Sequence, residues 1–434
     1  MRILTPPLHF RTANNNDAGL FDGRRIVGMR IVLKICSSSM VKLPDAKQPT
    51  KERVIKKNLI ILSLVFLAGG PSVFGADTWV TVTPPKEDKV VIVSAYPGRN
   101  KVFALTGTKA NGVIDSMWSS TNNGETWQKF GVGAGANPIQ IFSLGILYDP
   151  AHRDTFWLYG NYVGSYGAAL ISRDGGATVH KFGIDPPGCG GFCEDEGFSI
   201  DFNDPERKTI AIGQHEASRT IRCSSDGGTT WTNIGGTLPA GTARANYPLV
   251  LDAQTILAGC SFMISAGPTF EWSFGGTPGL YRTTNKGSSW TLVSRKAVFE
   301  EPLVVDDTIY WTIYDTTTRS GGLLRSDDKG ATWIVASATG LLWSCRPVLL
   351  PDGRIGMIDK TKRIVVSSDR GVTWTAITPP ISVPTPWGFT YNTAGKAFFA
   401  WQSSGENNNP VNGVVVRLDM DITPVQSTLS PGKL

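Results

Sequence analysis

Three short segments of the sequence begin alike but differ in the chemistry of their first residue. They read Tyr247-Pro-Leu-Val, Glu301-Pro-Leu-Val and Arg346-Pro-Val-Leu. If the segments are equivalent strands, a phenol, a carboxylate and a guanidinium occupy matching positions on neighbouring elements. A carboxylate can act as a base toward a phenol, and a guanidinium binds a carboxylate through two parallel hydrogen bonds. The trio therefore predicts a catalytic or a ligand-binding site, although polar residues at strand mouths also commonly just face water.

Five further residues are candidates for the same site. His215 is a candidate for proton transfer, and Arg219, which lies in the same predicted loop, is a candidate for substrate binding. Arg244 comes just before the first segment and could add a second guanidinium. Trp343 and Trp387 would offer flat apolar surfaces for stacking on sugar rings. A structural role stays open for each of them, above all for a histidine in a loop.

One octapeptide recurs six times and indicates how such strands are arranged. Its form is Ser/Thr-x-Asp/Asn-x-Gly-x-Thr/Ser-Trp, with valine as the last residue of the second copy. The copies are 120–127, 172–179, 224–231, 283–290, 326–333 and 367–374. Their ends are 41 to 59 residues apart, which is the length of a four-stranded propeller blade. The third residue can accept hydrogen bonds from turn amides and the glycine can adopt a positive φ, so these residues are predicted to be structural.

The repeats predict an all-β fold, a β-propeller of seven four-stranded blades. The predicted blades are 88–131, 139–184, 197–236, 245–295, 297–338, 343–380 and 387–419. The last blade has no octapeptide and lacks an outer strand. Thr78-Trp-Val-Thr-Val-Thr-Pro-Pro85 echoes Thr373-Trp-Thr-Ala-Ile-Thr-Pro-Pro380, which overlaps the end of the sixth copy. We therefore expect the N-terminal strand of the mature chain to complete blade seven and remove an open sheet edge.

The first 75 residues predict a leader and not a part of the propeller. Residues 1–39 read as a mis-assigned start or a disposable extension, and 40–75 as a signal peptide with cleavage after Gly75. Basic residues precede the apolar run 59–68, which is too short to span a bilayer comfortably. The sequence thus predicts a secreted or periplasmic protein with its propeller at 76–419 and a C-terminal tail at 420–434.

Composition after removal of the leader limits the possible partners. Residues 1–75 hold 12 of the 42 Lys and Arg and 4 of the 36 Asp and Glu, so the remaining chain is near −2. A nucleic-acid partner, which needs a concentrated positive face, is therefore not expected. Five cysteines remain, namely Cys189, Cys193, Cys223, Cys260 and Cys345. Their odd number predicts at least one free thiol; the first two are expected to form a loop disulfide, since a metal site would need four well-placed ligands.

The octapeptides and the trio together resemble the sialidase-like superfamily of Asp-box (BNR repeat) β-propellers, over nearly all of residues 76–419. Sialidases of that superfamily use a tyrosine nucleophile assisted by a glutamate, an arginine triad that grips the substrate carboxylate, and an aspartate as acid/base. The resemblance implies that Tyr247 is the nucleophile, Glu301 its partner and Arg346 a substrate-binding arginine. Which of the two other candidate arginines would be second is left open.

The chain departs from the sialidase pattern, and two functions stay open. The Arg-Ile-Pro segment of the first blade is absent, since the inner strand reads Lys89-Val-Val-Ile-Val-Ser, and no aspartate is matched as acid/base. Sialidases have six blades; seven-bladed relatives include one half of xyloglucanases, some polysaccharide lyases and the photosystem II assembly factor, which is not an enzyme. One hypothesis is a carbohydrate-active hydrolase or lyase acting on an acidic glycan. The alternative is a non-catalytic propeller that binds a glycan or a protein.

Both hypotheses make the same predictions about ligand position and partners. The ligand is expected on the face opposite the octapeptides, where loops of varying length leave the strands. We expect no cofactor and no bound metal, no membrane partner after signal cleavage, and a monomeric protein.

Overall fold

The chain folds into the predicted propeller. A computed structural model describes residues 78–85, 89–107, 114–129, 141–161, 169–184, 195–214, 218–261, 276–315, 320–402 and 413–423. These residues all belong to the compact unit Pro71–Leu434. They form seven four-stranded antiparallel sheets in a ring, with only one short 3-10 helix (Gly235–Thr237), which confirms the seven-bladed all-β fold. Among them there is no helix with the length and apolar character that crossing a bilayer would require.

In the first six blades the strands follow chain order from the inner to the outer edge. The first strand of the chain, β1 (Val80–Thr81), belongs to blade 7. Blades 1 and 2 contain β2 (Lys89–Ala95), β3 (Val102–Gly107), β4 (Ile114–Ser120), β5 (Gln128–Lys129), and β6 (Ile141–Tyr148), β7 (Phe156–Asn161), β8 (Ala169–Ser172), β9 (His180–Phe182). Blades 3 and 4 contain β10 (Asp195–Ile200), β11 (Ile210–Gln214), β12 (Ile221–Ser224), β13 (Thr232–Asn233), and β14 (Arg244–Val250), β15 (Ile256–Ser261), β16 (Gly279–Thr283), β17 (Thr291–Ser294). Blades 5, 6 and 7 contain β18 (Ala297–Val305), β19 (Thr308–Asp315), β20 (Ser320–Ser326), β21 (Ile334–Leu341), then β22 (Val348–Leu349), β23 (Ile355–Ile358), β24 (Ile364–Ser367), β25 (Thr375–Ala376), and finally β26 (Gly388–Asn392), β27 (Ala397–Gln402), β28 (Val414–Asp419).

The N-terminal strand closes the ring, as the sequence echo predicted. β1 pairs antiparallel with β28, so that Val80 faces Arg417 in the ladder. The Trp79 indole donates to the Pro379 carbonyl of blade 6 at 3.3 Å. The first strand therefore takes the outer place in blade 7, and the last blade has no missing edge.

The six octapeptides form identical turns between the third and fourth strands. In each, the first hydroxyl donates to the side chain of the third residue at 2.8–2.9 Å and accepts from the glycine amide at 2.7–2.9 Å. The glycine has a φ between 77° and 95°, as predicted. The residue before it also has a positive φ, for example 54° at Lys329 and 61° at Arg370, which the sequence analysis did not anticipate. The side chain of the third residue is engaged in hydrogen bonds with its own turn, which is a structural role.

Most tryptophans that end the octapeptides join neighbouring blades. The indole of Trp127 donates to the Val82 carbonyl at 2.8 Å, and Trp231 donates to the Ile184 carbonyl at 3.1 Å. Both acceptors belong to the preceding blade in the ring. Trp333 is different, because its indole donates to the Gly330 carbonyl of its own turn at 3.0 Å.

The turns between the first and second strands lie on the same side as the octapeptides. The Gly227 amide donates to the Lys208 carbonyl at 3.0 Å, and in blade 4 the Lys286 amide donates to the Gln254 carbonyl at 3.0 Å. We call this side the turn face. The opposite side, the loop face, carries the connections from second to third strands and the connections between blades.

A buried ion pair joins blades 2 and 3 near the turn face. Asp149 accepts from Arg207 Nη2 at 2.8 Å and from its Nε at 3.0 Å, and the two side chains are 1% and 10% exposed. Burial alone would raise the pKa of Asp149, but hydrogen bonds from Arg207 and His152 hold that pKa well below its usual value. The ionised pair therefore stabilises the packing of blade 2 against blade 3.

Breaking this ion pair should destabilise the propeller strongly. Arg207→Met leaves a buried carboxylate without its guanidinium partner, and we expect a loss of about 3–5 kcal/mol in the free energy of unfolding. The double variant Asp149→Leu/Arg207→Met should lose much less than the two single changes together. Urea unfolding measures both, with Lys208→Met, which removes an exposed ion pair, as control. Equal effects of Arg207→Met and Lys208→Met would contradict this prediction.

Candidate functional site

Glu301 and Arg346, two members of the predicted trio, are ion-paired at the centre of the ring. Arg346 Nη1 contacts the Glu301 carboxylate, and Arg346 Nε donates to Glu300 Oε2 at 3.1 Å. Both glutamates lie in the middle of inner strand β18 in blade 5, and Arg346 precedes inner strand β22 in blade 6. The structure thus brings a carboxylate and a guanidinium together where the aligned segments predicted them.

The tyrosine that joins them is Tyr159, which the sequence analysis missed. Its hydroxyl donates to the Glu301 carboxylate, and Arg346 Nη1 donates to the same hydroxyl at 3.2 Å. Tyr159 belongs to β7 of blade 2, which is adjacent to neither blade 5 nor blade 6. These contacts therefore cross the central axis. We call Tyr159, Glu300, Glu301 and Arg346 the central cluster.

A glycine on the inner strand lets the tyrosine reach the axis. Gly145 on β6 is the ladder partner of Tyr159, and a Cβ built at Gly145 would lie 1.8 Å from the tyrosine oxygen. Blade 4 has the reverse arrangement, because Tyr247 is on the inner strand and pairs with Gly259 on the second. A glycine in an inner strand opposite a tyrosine is thus the sequence signal that could have found Tyr159. Phe198 supports the ring by stacking at 5.7 Å between centroids.

A distortion of β18 places two glutamates at one guanidinium. The ladder with β19 shifts between Phe299 and Leu303, and Glu300 has a φ of 59°, which is rare for a residue with a side chain. The Trp311 indole holds this geometry by donating to the Glu300 carbonyl at 2.8 Å. With this distortion both carboxylates contact Arg346.

Burial and mutual charge shift the ionisation of the cluster. Burial, with a smaller effect of Glu300, raises the pKa of Glu301 to about 7, although the Arg346 charge opposes the shift. Burial also raises the pKa of Tyr159 well above its usual range. Burial would lower the pKa of Arg346, but Glu301 and then Tyr159 and Glu300 keep it well above its usual value. Arg346 is therefore charged and Tyr159 is a neutral phenol.

These contacts limit the chemistry that the cluster can perform. Tyr159 is 1% exposed, and its hydroxyl is a hydrogen-bond donor to a carboxylate. Arg346 faces two glutamates, and its side chain is 27% exposed. A phenol that is buried and bonded in this way cannot reach a ligand on the loop face, and the guanidinium already has carboxylate partners. The arrangement is suited to fixing three blades relative to one another.

Three other predicted residues form an aromatic surface on the loop face. Trp343 packs edge-to-face against Phe299 and Tyr314 of blade 5, with centroids 5.7 and 5.6 Å apart. Trp387 of blade 7 contacts Trp343 at 6.3 Å. Tyr247 of blade 4 packs on the same Phe299 and Tyr314 cluster. We call these five residues the aromatic row; it passes across four consecutive blades, and its Tyr247 and both tryptophans are half-buried.

The other candidates are dispersed. Arg244 begins inner strand β14 next to Ser261 in the ladder, and it is half-buried. Arg219 lies at the outer part of blade 3, where its guanidinium donates to the Gly236 carbonyl. His215 lies outside the described residues, so its proposed role in proton transfer stays a prediction.

Exposed cations lie on the loop face in the connections of blades 4 to 6. Arg295 and Lys296 form the connection from blade 4 to blade 5, and Lys360 lies in the turn from β23 to β24; all three are exposed. The neighbouring carboxylate of Asp359 is paired with Arg363 at 3.0 Å. This part of the face therefore offers positive charge to a ligand.

A cavity of about 560 Å³ lies on the turn face, between blades 7 and 1. Its polar groups are largely paired with one another. The buried Asn392 amide donates to Asn100 at 2.7 Å and to Asn123 at 2.9 Å, and Arg417 donates to the Asn123 carbonyl at 2.9 Å. Lys396 pairs with Asp421 at 2.6 Å. These contacts serve to close the ring.

The cysteines and the other ligating residues are placed as follows. Cys223, Cys260 and Cys345 are free and buried, and burial raises the pKa of Cys223 to about 11. Cys189 and Cys193, the predicted disulfide, lie outside the described residues. Within the part of the chain that the structure describes, no group of three or more His, Cys, Asp or Glu is arranged to hold a metal ion.

The similarity of this chain to solved structures lies in its propeller architecture. No protein-family model and no curated protein matches the chain. It is similar to the solved structure of YCF48 bound to D1 peptide, with 14% identity, 70% of this chain and 100% of that chain covered, and a TM-score of 0.41. It is similar to U3-55K at 10% identity, with 79% and 99% covered and a TM-score of 0.49. For the GH74 xyloglucanase from Xanthomonas campestris the identity is 12%, with 77% and 59% covered and a TM-score of 0.30.

Glu301→Gln should change how stability depends on pH. The folded-state pKa of about 7 lies above the usual value for glutamate, so the folded protein keeps a proton that the unfolded chain releases. The resulting stability is complete below about pH 4 and is lost as the pH rises through about 7. Glutamine cannot ionise, so the variant should not share this loss.

Thermal unfolding between about pH 4 and pH 8 measures the effect, with exposed Glu206→Gln as the matched control. The wild-type melting temperature should fall relative to that of Glu301→Gln as the pH rises. Parallel curves for the two proteins would show that the pKa of Glu301 is not raised in the folded protein.

Proposed function

We propose that this chain is an Asp-box propeller of the sialidase-like superfamily that binds an acidic glycan without cleaving it. The proposal rests on one observation, which is that the loop face carries both the aromatic row and exposed cations. Hydrogen-bonded octapeptide turns in six blades support the assignment to Asp-box propellers. The predicted leader supports action outside the cytoplasm, as a secreted or periplasmic protein.

The aromatic row supports recognition of sugar rings. Trp343 and Trp387 come from consecutive blades, with centroids 6.3 Å apart, so they can contact neighbouring parts of one extended ligand. Aromatic rings bury a large apolar area with few torsions to order, which favours binding. Phe299 and Tyr314 hold Trp343 from the side, so the stacking surface is preformed.

The exposed charges of the loop face support an acidic ligand over a neutral one. Arg295, Lys296 and Lys360 are exposed on the loop face, where they would raise the local concentration of an anion. Arginine can also bind a carboxylate of a uronic or sialic acid directly. Glu300 and Glu301 of the central cluster both contact Arg346, which balances one of their two charges.

The central cluster argues against the sialidase reaction. A tyrosine nucleophile must reach the anomeric carbon, but Tyr159 is buried and its hydrogen bond to Glu301 crosses the axis. Tyr247, the nucleophile that the resemblance implied, packs in the aromatic row instead. The carboxylate–guanidinium pair therefore stabilises the fold, and the ligand binds on the loop face.

Binding of acidic oligosaccharides to the purified protein tests this function. Titration calorimetry with oligouronates and sialosides should show binding that weakens with salt, and Trp387→Ala should weaken it by about 10-fold or more, which corresponds to about 1.4 kcal/mol. Lys360→Glu should weaken it as well, without loss of thermal stability. Lys329→Glu on the turn face is the matched control, and it should bind as the wild type does.

The same protein should leave fluorogenic sialosides and uronic-acid polysaccharides intact. Turnover that Tyr159→Phe or Tyr247→Phe abolishes would overturn the non-catalytic assignment. Equal affinity for neutral and acidic oligosaccharides would overturn the choice of ligand.

A further inference from the structure

One asparagine of the blade 1 octapeptide differs from its counterparts in the other five copies. The fourth position is Asn123 in blade 1, whereas the other copies have Gly175, Gly227, Lys286, Lys329 and Arg370. The backbone at Asn123 has a φ of 55°, in the left-handed region that asparagine tolerates better than most residues. Because Gly124 follows, this octapeptide alone contains an Asn-Gly pair.

An Asn-Gly pair can deamidate without an enzyme. The backbone nitrogen of the glycine forms a bond to the side-chain carbonyl carbon of the asparagine, the bond from that carbon to Nδ2 breaks, and ammonia leaves with the proton of the glycine amide. Water then opens the cyclic imide and yields aspartate or isoaspartate. Glycine favours the ring closure because it has no side chain. Asn123 is half-buried and lines the cavity between blades 7 and 1, where water can reach it.

Both reacting groups of this pair are held by hydrogen bonds in the closed ring. The Gly124 amide donates to Ser120 Oγ at 2.8 Å, so the attacking nitrogen is bonded within its own turn. The Asn123 side chain is bonded to blade 7, where its Nδ2 donates to the Gly395 carbonyl at 2.7 Å and its Oδ1 accepts from Asn392 at 2.9 Å. The side-chain carbon cannot approach the nitrogen until these bonds break.

The contacts of Asn123 also hold blade 7 against blade 1. Its carbonyl accepts from Arg417 at 2.9 Å, and its Oδ1 lies only 2.0 Å from a Cβ built at Gly395, so the asparagine side chain fits directly against that glycine. Aspartate has no amide hydrogen, so two oxygens would face each other where Asn123 Nδ2 now donates to the Gly395 carbonyl. Isoaspartate would also lengthen the backbone of the turn by a carbon atom.

We propose that Asn123 is a deamidation site that closure of the ring protects, and that its conversion loosens the contact between blades 7 and 1. The reaction proceeds from the fraction of molecules in which these hydrogen bonds are open, since they must break first. Deamidation in turn enlarges that fraction, so a converted molecule is open more often. The proposal does not depend on the proposed ligand.

Peptide mapping by mass spectrometry, which follows the conversion of Asn123 at mildly alkaline pH, tests the protection. Conversion in the native full-length protein should be at least about 10-fold slower than in concentrated urea. Ser120→Ala removes the acceptor of the Gly124 amide, so it should speed the native reaction by about 5-fold and leave the rate in urea unchanged. Ser172→Ala makes the same change in blade 2, where the hydroxyl accepts from the Gly176 amide at 2.8 Å, and as the matched control it should leave both rates unchanged.

Asn123→Asp reproduces the aspartate product and tests the effect on ring closure. Its melting temperature should be lower than that of the wild type, and the amides of 80–83 and 414–419 should exchange faster with solvent, because β1 and β28 lie at this seam. Asn122→Asp is the matched control, since it makes the same charge change one residue earlier, where four other octapeptides already have aspartate. It should melt as the wild type does.

Equal rates of conversion in the native protein and in urea would overturn the protection, as would equal acceleration by Ser120→Ala and Ser172→Ala. The wild-type comparison stands whether or not Ser120→Ala folds. Equal melting temperatures for Asn123→Asp and Asn122→Asp would overturn the effect on ring closure.

Discussion

A side chain from the second strand of a propeller blade can reach the central axis only where the inner strand in front of it has no side chain. Gly145 meets this condition, and the phenol of Tyr159 passes over it to Glu301 and Arg346 on the far side of the ring. The contact connects blade 2 with blades that no sheet or linker joins to it. Neighbouring blades pack face to face, so the central cluster adds a constraint across the disc that this packing does not supply.

The same cluster underlies our proposal that a ligand binds on the loop face and not at the axis. A carboxylate, a guanidinium and a phenol at the axis are the groups that a sialidase-like reaction would need, yet here they are engaged with one another. Their burial raises the pKa of Glu301 to about 7 and keeps Tyr159 neutral. Among the described residues of the loop face, Trp343 and Trp387 are half-buried and contact each other, and Arg295, Lys296 and Lys360 are exposed.

The fold could be predicted in nearly all respects, because each octapeptide forms a locally hydrogen-bonded turn and therefore marks one blade in the sequence. Closure by the N-terminal strand could also be predicted, since the segment that contains Trp79 matches the segment that contains Trp374. The extra length of β21 could not, because its final residues depend on contacts with blade 6, which a local pattern does not record.

The candidate site was predictable only where strand alignment determines position. Glu301 and Arg346 follow from the shared X-Pro-Leu/Val pattern. Tyr159 does not, since its place depends on the missing Cβ of Gly145 on another strand. The direction of a long side chain cannot be predicted from sequence either. Arg219, for example, donates to a backbone carbonyl in the outer part of its blade and does not point toward the axis.

A crystal structure of the unliganded protein, with clear density for the side chains at the axis, would show whether blade 2 contacts blades 5 and 6 there. We expect the Tyr159 hydroxyl within hydrogen-bonding distance of Glu301, with Arg346 beside both. Density that places the Tyr159 ring away from the axis, or that shows an open channel with Glu301 and Arg346 apart, would contradict it.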